Sequence, residues 1–89
     1  MNAIVTVIGQ DQVGIIAKVC IQLSAFNINI LDISQTIMQN SFTMVMIVDL
    51  EKSNASFEDV QLKLKELGTE LGLSIRIQRE EIFNAMHTI

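Results

Sequence analysis

The chain has 89 residues, 49% hydrophobic, 4% aromatic and 18% charged, with a formal net charge of −4. That acidic, ring-poor composition argues against direct nucleic-acid binding, which needs a basic patch or stacking aromatics, and the apolar content excludes intrinsic disorder. A single domain follows from the length. Such a chain buries only about 60% of its unfolded surface, so its surplus of aliphatic side chains predicts an oligomer.

Residues 3–8 set Ala3, Val5 and Val7 against Ile4, Thr6 and Ile8, the pattern of a strand buried on both faces and ended by Gly9. From Val13 the period changes. Ile15, Ile16, Val19, Cys20, Leu23 and Phe26 fall on one helical face, with Asp11 as N-cap and Asn27 as a left-handed stop. Asn29 to Met38 reads as a second strand, with Leu31, Ile33 and Ile37 on one face and Asp32, Ser34 and Thr36 on the other. The polar turn Gln39-Asn40-Ser41 returns the chain as a hairpin into a third strand over Phe42 to Leu50. There Phe42, Met44, Met46, Val48 and Leu50 face one way, Val45 and Ile47 the other.

A polar loop, Glu51 to Ala55, leads to Ser56 with Asp59 three residues later, which resembles a capping box. Phe57, Val60, Leu64, Leu67 and Leu71 then mark a second amphipathic helix ending near Gly72. Leu73, Ile75 and Ile77 alternate with Ser74, Arg76 and Gln78 in a fourth strand. The tail places Ile82, Phe83 and Met86 at helical spacing, predicting a short C-terminal helix over about residues 80–88.

The order βαββαβ predicts an α+β, ferredoxin-like sandwich: a four-stranded antiparallel sheet of order 4-1-3-2 with both helices on one face. That order centres the first and third strands, which are the two most apolar. The second strand becomes an edge, and a long apolar edge invites pairing. Leu31, Ile33 and Ile37 on that edge, with Ile21 outside the apolar arc of its helix, are the predicted dimer interface. The lone Cys20 precludes an internal disulfide or a Cys-rich metal site and suits a reducing compartment. The N-terminal residues lack a basic region and cleavage site, and the longest apolar run, Met44 to Val48, is far too short to span a bilayer. A cytoplasmic location away from membranes is expected.

The segment with most chemical content is Gly9-Gln10-Asp11-Gln12-Val13-Gly14-Ile15-Ile16-Ala17, a strand-to-helix turn. Free N–H groups and the helix dipole at such a turn favour an anion, and a glycine lets a ligand or backbone approach. From the spacing alone the plainer reading stands ahead: Asp11 caps the helix and Gly14 packs tightly.

Three segments, Asp11-Gln12-Val13-Gly14-Ile15-Ile16-Ala17, Asn27-Ile28-Asn29-Ile30 and Ser41-Phe42-Thr43-Met44, together resemble an ACT domain across essentially the whole chain. The likeness is to the ACT domains of glycine cleavage system transcriptional repressors and to the N-terminal ACT domain of formyltetrahydrofolate deformylases. The ending Glu81-Ile82-Phe83-Asn84-Ala85-Met86-His87 is similar to that of small stand-alone bacterial ACT proteins. The resemblance implies a regulatory module that binds a small ligand, typically an amino acid, between two ACT domains. Carried over by motif position, the ligand-binding residues are Asp11, Gln12, Val13, Gly14 and Ile15 from the first loop, with Asn29 and Ile30 from the second strand of the partner. In that arrangement Asp11 receives an α-ammonium, helix N–H groups hold the α-carboxylate, and the Asn29 amide serves either. The chain departs from the pattern in having the uncharged Gln12-Val13 where such families often carry Arg, Lys or Pro. It also has Asn27 where they commonly have glycine.

Elsewhere the residues read as structural. Cys20 reads as a small buried hydrophobe, His87 as a solvated tail residue and Glu80-Glu81 as favourable charge at a helix start. Met38, Met44, Met46 and Met86 read as core or interface filler, Lys63 and Lys65 as a solvated face. The first loop lacks an acylphosphatase-like arginine and the paired cysteines of a metallochaperone, and the chain offers no triad. No enzyme activity, metal or cofactor is expected. The expectation is a homodimer that senses an amino acid and acts through association. The alternative is a ligand-independent dimerisation or docking module for a metabolic enzyme or transcriptional regulator.

Overall fold

The computed structural model describes residues 1–81. Its elements are strand β1 (Asn2–Gln10), helix α1 (Ile15–Ala25), strands β2 (Asn29–Met38) and β3 (Ser41–Asp49), helix α2 (Phe57–Leu71) and strand β4 (Ser74–Arg79). The sheet order is β2-β3-β1-β4, with every neighbouring pair antiparallel, which is the predicted ferredoxin-like order read from the other edge. Most of the predicted tail helix, with Met86 and His87, lies outside the described residues; Glu80 and Glu81 are helical.

Alternation decides which face each strand buries. Ala3, Val5 and Val7 pair with Val48, Met46 and Met44, and all six join one core with Ile15, Val19, Leu23, Val60 and Leu64 from the helices. Burying the side chains of one sheet face against two amphipathic helices is the dominant stabilising term of this architecture. Both helices end in the left-handed turn their sequences predict. Asn27 has φ +59° and Ile28 N–H donates to the Leu23 carbonyl at 3.0 Å; Gly72 has φ +73° and Leu73 N–H donates to the Gly68 carbonyl at 2.7 Å. At the start of α2, Ser56 Oγ accepts from the Asp59 N–H at 3.1 Å, as expected of a cap. Gln39 and Asn40, at φ +51° and +69°, form the two-residue turn of the β2–β3 hairpin.

Several local expectations are corrected. Asp11 does not cap α1. The N-cap is Gly14, in the left-handed region and without a side-chain cap, because three residues of loop separate Asp11 from the first helical turn. Nor is Gly14 tightly packed: a Cβ there would meet only Lys18 Cε, at 4.0 Å, so its φ of +88° is what requires glycine. The strand passes through Gly9 to Gln10, and a Cβ on Gly9 would strike the Leu73 side chain. Leu31 does not share a face with Ile33 and Ile37 in regular alternation, since a register shift between Ile30 and Asp32 makes it the extra residue of a β-bulge. The first strand is not buried evenly on both sides, because Ile8 is half exposed. Met38 is also exposed, while Met44 and Met46 are fully buried.

Candidate functional site

The first loop is held at both ends. Asp11 N–H donates to the Asn40 carbonyl of the hairpin turn at 2.8 Å, and Gln12 Nε2 donates to the Leu71 carbonyl at 2.8 Å. Between these anchors and the helix, Val13 projects into solvent with 98% of its surface exposed, while Ile15 turns into the core. The first turn of α1 has neither a side-chain cap nor an acidic residue. Its leading N–H groups therefore keep their capacity for an anionic acceptor, with the positive end of the helix dipole behind them. The Asp11 carboxylate is exposed, three loop residues ahead of the helix. Donors for a carboxylate and an acceptor for an ammonium occupy one short turn.

Asn29 and Ile30 are at the other end of the sheet. Asn29 pairs with Asp49, which pairs with Asn2; the loop instead follows Gln10, which pairs with Ser41, itself paired with Met38. The ten-residue β2 separates these two rows, a run of roughly 30 Å at strand rise. Within one chain the sequence-expected site is therefore split into two halves. The Asn29 half opens on a cavity of about 410 Å³ lined by Ser24, Asn27, Ile28, Asn29, Asp49, Glu51 and Lys52. Asn27 Nδ2 donates to the Lys52 carbonyl at 2.9 Å and Asp49 Oδ1 accepts from Glu51 N–H at 2.9 Å, which fixes that wall. Asp49, Glu51 and Lys52 were not among the residues singled out from the sequence. Only the β2–β3 pairing, invisible in a linear motif, brings them beside Asn29.

The edge between the halves is open. Ile33 and Ile37 register with Met46 and Phe42 and so point to the helix side, yet both are exposed because neither helix extends over β2. Leu31, in the bulge, is exposed too. Ile21 is 69% exposed, and at 100° per residue it stands about 160° round α1 from the buried Ile15–Val19–Leu23 stripe. It belongs to the outer surface of the helix rather than to a shelf continuous with β2. Cys20 is partly buried against the core. A larger cavity, about 730 Å³, runs along the opposite edge between α2 and β4, past Leu62, Lys65 and Arg76. None of the carried-over residues reaches it.

The described residues thus form an α+β sandwich with an uncapped glycine turn at one end and an open apolar edge. The ACT domain family model matches residues 2–78, and the chain belongs to that family. A UPF0237 protein of Clostridium acetobutylicum is 57% identical over 89 residues, covering 100% of both chains. Among solved structures, an ACT domain protein from Streptococcus pneumoniae superposes with a TM-score of 0.82 at 36% identity, over 93% of each chain. A putative glycine cleavage system transcriptional repressor gives a TM-score of 0.73 at 23% identity, covering 86% of this chain and 44% of that one. A formyltetrahydrofolate deformylase from Pseudomonas syringae gives 0.76 at 23%, covering 88% of this chain and 27% of the enzyme. These last two share the fold. No described helix is long and apolar enough to cross a membrane.

Proposed function

We infer that the protein is a regulatory module that binds an amino acid between two copies of itself and passes the signal on by association. One observation carries this reading: the Asp11–Gly14 turn and Asn29 lie at opposite ends of β2, and β2 is an exposed apolar edge. A two-fold axis through the middle of β2 pairs the strand antiparallel with its own copy, an isologous contact that buries Ile33 and Ile37. The same rotation carries the second copy's Asn29 and Ile30 to the end where the first copy's loop lies. Two equivalent sites result, each with loop N–H groups and Asp11 from one chain and the Asn29 amide from the other. A free amino acid matches that donor and acceptor set. The cytoplasm, where such metabolites and a reduced thiol coexist, is its natural setting.

Calorimetry of the wild type against the free amino acids tests the proposal, with Asn29→Ala as the site variant. Saturable binding of at least one amino acid, weakened tenfold or more by Asn29→Ala at unchanged Tm, is expected. Lack of saturable binding across the set would overturn ligand sensing.

A second reading is favoured by Val13, an apolar side chain that is 98% exposed at the tip of the loop. Such a tip also suits a protein surface, making the chain a dimeric docking module for an enzyme or regulator without a ligand. Capture of one defined partner to the same extent with and without amino acids would support that reading over sensing.

A further inference from the structure

The sheet has a second edge. β4 pairs with β1 alone, so among the described residues no strand lies along its outer side. An edge strand turns the N–H and C=O groups of alternate residues outward, where they template a further strand. Alternation aims Ile75 and Ile77 into the core and leaves Ser74 and Arg76 exposed on the open sheet face. Beside this edge α2 presents Gln61, Lys65 and Thr69, spaced i, i+4 and i+8 along one flank of the helix, with the exposed Leu62 next to them. The groove between helix and strand is the cavity of about 730 Å³, and it runs the length of β4, from Thr69 and Leu73 to Glu58 and Gln78.

The charge along this groove is opposite to that of the whole molecule. The chain carries ten acidic and six basic side chains, yet among the described residues the groove is lined by two cations, Lys65 and Arg76, and one carboxylate, Glu58. Glu58 stands in the first turn of α2, where the helix dipole offsets its charge. Lys63 pairs with Glu66 and Arg79 stands over the Phe57 ring, but among the described residues no ion pair engages Lys65 or Arg76. The two cations bracket the edge, Lys65 on the helix side of β4 and Arg76 on the opposite face of the sheet.

We propose that the β4 edge takes an extended acidic segment of a partner protein as a fifth strand, independently of the ligand site and of pairing at β2. Main-chain hydrogen bonds to β4 hold such a segment, and its alternating side chains meet Lys65 and Leu62 on one face and Arg76 on the other. A carboxylate on either face therefore finds a cation. A second copy of this chain is the poorer occupant. Arg76 lies near the middle of the six-residue strand, so two β4 edges joined about a two-fold axis would bring both Arg76 side chains to one junction, where like charges repel. The edge rejects its own copy and admits a strand of opposite charge.

NMR titration of the full chain with a short capped peptide alternating glutamate and valine tests this. Saturable binding is expected, with amide shifts and at least tenfold slower hydrogen exchange at alternate β4 residues, and with affinity falling as salt rises. The matching lysine–valine peptide should bind at least tenfold more weakly. Lys65→Glu with Arg76→Glu changes two exposed side chains and should invert that preference at unchanged circular dichroism. Absence of saturable binding, equal binding of the two peptides, or shifts confined to the β2 edge would each overturn the proposal. Protection of β4 on concentrating the protein alone would also overturn it, since the occupant would then be a second copy.

Discussion

Gln12 and Leu71, 59 residues apart, are joined by a 2.8 Å hydrogen bond in which the Gln12 side-chain amide donates to the last carbonyl of α2. The bond does two things at once. It satisfies a terminal carbonyl that the helix itself cannot pair, and it fastens the first loop against the far layer of the fold. Because the bond is exposed, Gln12→Ala should lower stability by only about 0.5–1 kcal/mol. Gln12→Glu should be worse than Ala. A carboxylate cannot donate, and it sets negative charge against the negative end of the α2 dipole. Thermal unfolding at low and high salt checks the order, and the Glu penalty alone should shrink with added salt.

Glycines 14 and 68 should respond to alanine for opposite reasons. Gly68 sits inside α2, where propensity favours alanine by about 1 kcal/mol. A Cβ there, however, would lie 2.7 Å from the Leu73 carbonyl oxygen and 3.3 Å from Ile75 N, both backbone atoms that cannot yield cheaply. Gly68→Ala should therefore destabilise by about 1–3 kcal/mol, the range of overpacking. Gly14 meets nothing closer than 4.0 Å, so Gly14→Ala should cost only the left-handed strain, about 1–2 kcal/mol, and Gly14→Asn less. Urea titrations of the three variants decide it, and a stabilised Gly68→Ala would contradict the close approach of α2 to β4.

These contrasts mark what the linear sequence conveys. Period-two alternation at Val5 and Val7, period-3.6 spacing from Ile15 to Leu23, and the Ser56, Asn27 and Gly72 signals are local, so they located every described element to within a few residues. The bulge at Leu31 was not legible, because an apolar residue out of register looks like one more member of an apolar stripe. Asp11 had the chemistry of a cap but stood one turn too early, and the glycine that opens α1 is set by backbone angle, which composition does not report. Gln12 met Leu71 only through the fold. The residues expected to form the site stand out as a motif, while their separation by the length of β2 emerges only from the strand pairing.

Pairing along β2 predicts the effect of charge on that edge. Ile37 is 58% exposed and registers with Phe42, so Ile37→Lys should leave the monomer fold nearly unchanged, within about 0.5 kcal/mol for a surface substitution. Two lysines brought together across a two-fold contact repel, and an inward-pointing charge is how native edges avoid pairing. Light scattering at micromolar concentration should give a dimer for the wild type and a monomer for Ile37→Lys, with the same far-UV circular dichroism. A dimer that survives Ile37→Lys would move the interface elsewhere, the outer α1 surface at Ile21 being the next candidate.

Complementation between two inactive chains distinguishes a site built across the dimer from one built within a chain. Asp11→Ala disables the loop half and Asn29→Ala the strand half; both side chains are exposed, so both variants should fold. Each homodimer then has two defective sites. In a mixed dimer, one site combines both lesions and the other combines the intact loop of one chain with the intact Asn29 of its partner. Random re-association of equal amounts makes half of the dimers mixed, so about a quarter of wild-type binding stoichiometry should return, at wild-type affinity. Calorimetry on the mixture after dissociation and refolding measures it directly. If each site were formed within one chain, mixing would restore nothing, because every chain would still carry a lesion in its own site.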